Sequence, residues 1–306
     1  MIFKDIESIE KLSVDKRLER FGNIQKKPCS KKIFRSNMML NPLRLKHLNK
    51  IDNLDADMIT LNLEDAIAPS RKREALINIA LFLSHLKESK SFIIIRTNPL
   101  NEGGREEIEF LNNFAFDAVR VAKIKNFDEI IEIDKILDKR KEIHISLETK
   151  EAFNNLSRFQ GIARFTTANL GILDLLTSLR LPQSLVERDN PTIHYILSKF
   201  LIDAKISGVN PISFMYQKYQ NKQEFEAWCQ FEKRMGFNTK ACMGPLQVEI
   251  ANRVFLTDNE AIVRAEHIKN AFETSSKKSE HGFMDEKYGF IDEPIYRDAL
   301  LVLGNF

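Results

Sequence analysis

Eight short apolar runs, each separated from the next by a longer polar or amphipathic stretch, constrain this chain more than any other feature. They cover residues 34–40, 58–63, 92–95, 118–122, 143–147, 162–166, 210–215 and 239–243. An apolar run of this length reads as a strand buried on both faces, the pattern of a parallel sheet. Between the runs, stripes such as Ala75, Ile79, Leu83 and Leu86, or Ile196, Phe200 and Ala204, recur at helical spacing. Eight strands alternating with helices over roughly 210 residues match the arithmetic of a (β/α)₈ TIM barrel; a doubly wound open sheet is the alternative. Residues 1–30 are highly charged, with Ile6, Ile9, Leu12 and Leu18 at approximate helical spacing, and read as an N-terminal helical extension. The barrel is expected over 31–272. Residues 273–282 are polar and read as a linker, and the apolar tail to 306 reads as a lid on its own barrel or on a neighbouring subunit.

In a parallel barrel, the residues just after each strand gather at one face, where such folds place their chemistry. Glu148 follows the fifth run and Asp174 comes shortly after the sixth, so both carboxylates emerge at that face. They repel unless a positive charge lies between them, and a hard divalent cation such as Mg²⁺ satisfies both; helix capping is the other reading. The second run ends in the adjacent acids Glu64 and Asp65, the third in Arg96-Thr97-Asn98-Pro99, and the fourth in Lys123. Arg96 offers a planar fork to a carboxylate and Lys123 a point charge, which suits an anionic substrate. Singly, these residues also fit helix-dipole or rim ion-pair roles. Acids and bases at four successive strand ends favour a site. Arg35 lies at the start of the first strand, where a role in the site is less direct.

Other chemistries find little support. With 46 basic against 43 acidic residues, the net charge of +3 is too balanced for a nucleic-acid or membrane-surface footprint. Cys29, Cys229 and Cys242 are far apart and form no C-x-x-C, which suits a reducing cytoplasm. The acidic N-terminus does not read as a signal peptide, and no apolar run approaches the roughly 18 residues of a membrane span. Gly103-Gly104 lacks a nucleotide fingerprint, the six histidines show no zinc spacing, and no G-x-S-x-G elbow occurs. His144, inside an apolar run, and Trp228, with Phe225 and Phe231, read as interior residues.

The order and spacing of several motifs resemble the citrate lyase beta subunit and malyl-CoA lyase group of the HpcH/HpaI aldolase superfamily. They are Arg35-Ser36, Leu63-Glu64-Asp65-Ala66-Ile67-Ala68-Pro69, Arg96-Thr97-Asn98-Pro99-Leu100, Ala122-Lys123, Glu148-Thr149, Gly171-Ile172-Leu173-Asp174 and Tyr288-Gly289-Phe290-Ile291-Asp292. The resemblance implies an oligomeric (β/α)₈ barrel and Mg²⁺-dependent cleavage or formation of a carbon–carbon bond beside a thioester. It further implies that Glu148 and Asp174 hold the metal, and that Arg96 and Arg35 hold the substrate carboxylate or thioester oxygen. Asp292 would be a tail acid/base reaching a neighbouring site. Arg35, Arg96, Lys123 and Asp65 make up the expected substrate-binding set, with Arg96 and Asp292 catalytic. The expected partners are a small oxo acid or a hydroxyacyl thioester, possibly carried on CoA. A thioester hydrolase and a non-catalytic metabolite-binding barrel are the competing functions. The chain departs from the family pattern at Asn62 and Ser213, where Asp is usual, and at Asn41-Pro42, Thr239 and Met243-Gly244.

Overall fold

In the computed structural model, which describes residues 1–30, 33–276 and 282–304, eight parallel strands form one sheet. These are β1 Ser36–Leu40, β2 Met58–Asn62, β3 Phe92–Thr97, β4 Ala118–Val121, β5 Glu142–Leu147, β6 Phe165–Leu170, β7 Asn210–Ile212 and β8 Lys240–Cys242. Strands β1 to β7 neighbour one another in sequence order, and β8 pairs with β1. A parallel bridge between Ser213 and Lys240 joins β7 to β8 and closes the ring. The fold is a (β/α)₈ TIM barrel.

Alternation along the strands separates two interiors. Ile59, Leu61, Ile93, Ile95, Val119, Val121, Ile143 and Ile145 point outward and join the main apolar core with the helices. The inward residues are layered. Met58, Phe92, Ile94, Ala118, Ile212 and Ala241 make a separate apolar plug. Beside it, Asn37, Thr60, Arg120, His144 and Asn169 form a buried polar layer. The sixth strand starts later than the expected 162–166, because Thr167 and Asn169 face this polar lumen and so belong to a strand despite their polarity.

The chain divides into two compact units, residues 1–255 and 256–306. Within the first, residues 1–30 contribute two short helices, Ile6–Glu10 and Val14–Leu18, and an extended segment. Lys26 Nζ there reaches both oxygens of Asp117 at 2.8 and 2.7 Å. The second unit has the helices Asn259–Ser276 and Glu293–Val302 and an antiparallel hairpin, β9 Gly282–Asp285 with β10 Gly289–Asp292. Ala265, Ile268, Phe272, Ile291 and Ala299 are its own core. Residues 273–276, expected in a linker, instead complete the helix that this stripe buries; 277–281 lie outside the described residues.

Candidate active site

The C-terminal ends of β2 to β6 bring together most of the residues singled out at the strand ends. Glu148 follows β5, and Arg96 Nη2 donates to its Oε1 at 2.7 Å. Its Oε2 accepts from the Lys123 backbone N–H at 3.2 Å. Lys123 turns that N–H inward by adopting φ +52°, in the left-handed region, and Ala66 does the same at φ +69°. Non-glycine residues held there at two strand ends mark a local conformation imposed by the surrounding fold. Gly171 leaves the space that Glu148 occupies: a Cβ at that position would lie 2.3 Å from Glu148 Cγ and 2.7 Å from its Oε1. Asp174 sits in the first turn of the helix Ile172–Ser178.

Glu64 clasps both cations, with Oε2 3.0 Å from Arg96 Nη2 and Oε1 2.8 Å from Lys123 Nζ. Asp65 lies at 3.8 and 3.6 Å from the same two nitrogens. Burial raises the Glu64 carboxyl, yet Arg96, Asp65 and Lys123 outweigh it and hold the group down to about 2. Asp65 is pushed up to about 6, by burial first and then by its hydrogen bond to and repulsion from Glu64. Burial also raises Glu148, against the pull of Arg96 and Arg120.

A cavity of about 360 Å³ is lined by Asp65, Arg96, Glu148, Gly171 and Asp174, together with Arg120, Ser146 and Asn169. Arg120 lies within β4 rather than after it, so its place in an apolar run does not mark it as a site residue. Burial and then the neighbouring Arg96 pull its guanidinium down to about 9, so it stays charged at neutral pH.

Arg35 and Asp292 are the remaining expected site residues. Arg35 immediately precedes β1, at the opposite end of the barrel, where Nε and Nη2 donate to Asp57 at 2.8 and 3.1 Å. It is therefore outside the cluster, and its guanidinium is taken up by a structural pair. Asp292 belongs to the second unit and caps the helix Glu293–Val302, accepting from Ile295 N–H at 3.3 Å. Ser213 does not line the cavity; its hydroxyl donates to Glu232 at 2.6 Å beside Lys240, a fully buried pair that closes the β7–β8 seam.

No group of three or more His, Cys, Asp and Glu side chains that could hold a metal occurs among the described residues. Mg²⁺ does not need one, because it commonly binds through one or two carboxylates with water and substrate oxygens completing its shell. Two carboxylates on one cavity, one of them in a cradle opened by Gly171, fit that requirement.

A sequence model of the HpcH/HpaI aldolase/citrate lyase family matches residues 35–245. The chain belongs to this family. It is 26% identical over 245 residues to a (3S)-malyl-CoA thioesterase of Cereibacter sphaeroides, covering 80% of this chain and 85% of that protein. It is 24% identical over 261 residues to the citrate lyase subunit beta of Haemophilus influenzae, covering 81% and 88%. Among solved structures, the CitE protein of Mycobacterium tuberculosis in complex with magnesium, acetoacetate and coenzyme A superposes with a TM-score of 0.68 at 16% identity, covering 89% of this chain and 98% of that one. That likeness speaks for the shared fold. No described helix is long and apolar enough to cross a membrane.

Proposed function

We propose that this member of the HpcH/HpaI aldolase/citrate lyase family is a Mg²⁺-dependent carbon–carbon lyase that cleaves or forms a 3-hydroxyacyl thioester, carried on CoA, through an enolate. The observation that supports the reading best is the convergence of Glu148, Asp174 and Arg96 on one cavity at the catalytic end of the barrel. In this reading Glu148 and Asp174 hold the metal. Bound Mg²⁺ supplies Lewis-acid polarisation of a 2-oxo or 3-hydroxy oxygen.

The chain's own groups do the rest. Arg96 is buried and fixed between Glu148 and Glu64, so its charge is preorganised for the enolate oxygen that cleavage leaves behind. Lys123, less buried at the rim, and Asp65 set the charge that an incoming anion meets. The proton transfer is assigned to Asp292, and Asp292→Asn is expected to lower turnover while leaving oxo-acid binding intact.

The thioesterases among the relatives favour a second reading, hydrolysis of the same class of thioester. Calorimetric titration with Mg²⁺ in the presence of pyruvate or glyoxylate tests the site. Saturable binding is expected in the unaltered protein and not in Glu148→Ala/Asp174→Ala; its absence from both would sink the metal reading. Product analysis then separates the reactions: a lyase releases two carbon fragments, whereas a hydrolase releases free thiol and an intact acyl skeleton.

A further inference from the structure

Six lysine and arginine residues are buried among the described residues: Arg17, Lys26, Arg96, Arg120, Lys141 and Lys240. Five of them have a carboxylate within ion-pair distance, Glu74, Asp117, Glu148, Asp138 and Glu232 respectively, at 3.4, 2.7, 2.7, 3.9 and 2.5 Å. Arg120 is the exception. It is 5% exposed, lines the cavity, and makes one side-chain hydrogen bond, from Nη1 to Asn169 Oδ1 at 3.1 Å. Its Nε has no partner. A guanidinium has five N–H donors and no acceptor, so most of its hydrogen-bonding capacity is unused here. Removing such a group from water with no acid in direct contact is costly.

Glu148 and Glu64 attract Arg120 only from beyond ion-pair distance, and the groups that touch it hold it in place without supplying a charge. Asn169 Oδ1 also accepts from Asn37 Nδ2 at 3.2 Å, and Asn37 Oδ1 accepts from Thr60 Oγ1 at 2.7 Å. These bonds orient the Asn169 amide with its oxygen toward Arg120. Ser146, 1% exposed and on the same cavity wall, has a hydroxyl without a partner. A fixed fork and a free hydroxyl on one wall present the donor set that a carboxylate takes up.

We propose that Arg120 is a specificity-determining residue that receives a second carboxylate on the oxo-acid half of the substrate, with Ser146 assisting, so that dicarboxylic 2-oxo acids bind in preference to monocarboxylic ones. The inference rests on the oxo-acid reading of the cavity. The carboxylate next to the oxo group is served by the Glu148, Asp174 and Arg96 level, and Arg120 is left for one further along the chain.

The test is calorimetric titration of the full chain, with Mg²⁺ present, using pyruvate and 2-oxobutanoate against oxaloacetate and 2-oxoglutarate. At least one dicarboxylate is expected to bind roughly ten- to a hundredfold more tightly than the monocarboxylates, the range of a charge-assisted hydrogen bond. Arg120→Met should erase that preference and leave pyruvate affinity within a few-fold. Arg120→Lys, which keeps the charge, should retain part of it, and Ser146→Ala should weaken the dicarboxylate alone; these two variants carry the test if Arg120→Met does not fold. Equal binding of both acid classes by the unaltered protein, or a preference that survives in Arg120→Met, overturns the role of Arg120 while the oxo-acid reading stands. Parallel loss of both acid classes in Arg120→Met and Arg120→Lys marks a structural role and also overturns it. Failure of every oxo acid to bind the unaltered protein overturns both.

Discussion

Where the strands of the barrel begin, buried acids lie in close contact with cations: Arg35 lies on Asp57, and Lys26 on Asp117, whose carboxylate also accepts from the N–H groups of Cys29 and Ile93. Where the strands end, Arg96 lies within ion-pair distance of Glu64, Asp65 and Glu148, Lys123 is split between two acids, and Arg120 has none. The same residue types thus do two jobs. Close pairs at one end tie the strands to the segments that precede them, whereas shared and unmet charges at the other end leave groups free to exchange partners with a ligand. Stability is conceded at the functional end, as expected where activity needs groups whose bonds are incomplete.

The largest stability change should come from the end where the strands begin. Asp117→Asn leaves the buried Lys26 ammonium without its counter-charge, and breaking a buried pair in this way costs about 3–5 kcal/mol. Urea unfolding should show that loss, while oxo-acid affinity, measured where the variant is still folded, should be unchanged. An altered affinity would mean that the two ends are coupled and the contrast between them is wrong.

Gly171→Ala reverses the pattern. The new methyl must displace Glu148, and a shift of about 1 Å at a reacting group can cost roughly a hundredfold in rate. Turnover and Mg²⁺ affinity should fall by that order, while the overpacking should cost about 1–3 kcal/mol of stability, less than Asp117→Asn. A smaller effect belongs to Lys123→Met. Its side chain is 38% exposed, and exposed pairs contribute about 0.2–1 kcal/mol, so stability should barely change while anion affinity drops. Unchanged anion affinity would remove Lys123 from the binding surface.

What could be read in the sequence follows the same division. The barrel was legible because outward residues such as Ile59, Ile93, Val119 and Ile145 make each run apolar. Glu148, Arg96, Lys123, Asp65 and Asp174 were legible because a strand end fixes the direction of the residues beside it, and all but Lys123 line the cavity while Lys123 pairs with its acids. Arg35 was expected in the substrate-binding set on resemblance although its position ahead of the first strand made a role there less direct, and the structure pairs it with Asp57 at the other end. The polar lumen has a signal in the sequence: Asn37, Thr60, Arg120, His144 and Ser146 interrupt the apolar runs, and polar residues inside an apolar run mark a wet or charged interior; Asn169 falls beyond the expected sixth run and has no such signal. The Glu232–Lys240 pair carried no such signal, because its partners come from a helix and a strand whose contact only the closed barrel creates.

The finest test of the functional end uses the proton of Asp65. Its folded-state value of about 6 lies above the ordinary carboxyl value of 3.8, so between those limits the folded protein binds more protons there than the unfolded chain does. The stability contribution of Asp65 is therefore most favourable below 3.8 and declines as pH rises to about 6. Glu64 acts in the opposite sense, its contribution being present above 4.5 and lost as pH falls toward 2. Of these two, the Asp65 change is the one traversed from pH 7 to 5, and protonation removes a negative charge beside Arg96 and Lys123. Pyruvate binding to the metal-free protein should tighten across that interval by less than about tenfold, given the screening at a half-exposed carboxylate. Asp65→Asn should bind more tightly at pH 7 and lose that part of the pH dependence. Subtracting the variant's profile isolates Asp65 from the other carboxyls that burial raises, Glu107 and Glu148. Identical profiles for the two proteins would place the anion away from Asp65, and the groups left to bind pyruvate would then be Arg96 and Lys123.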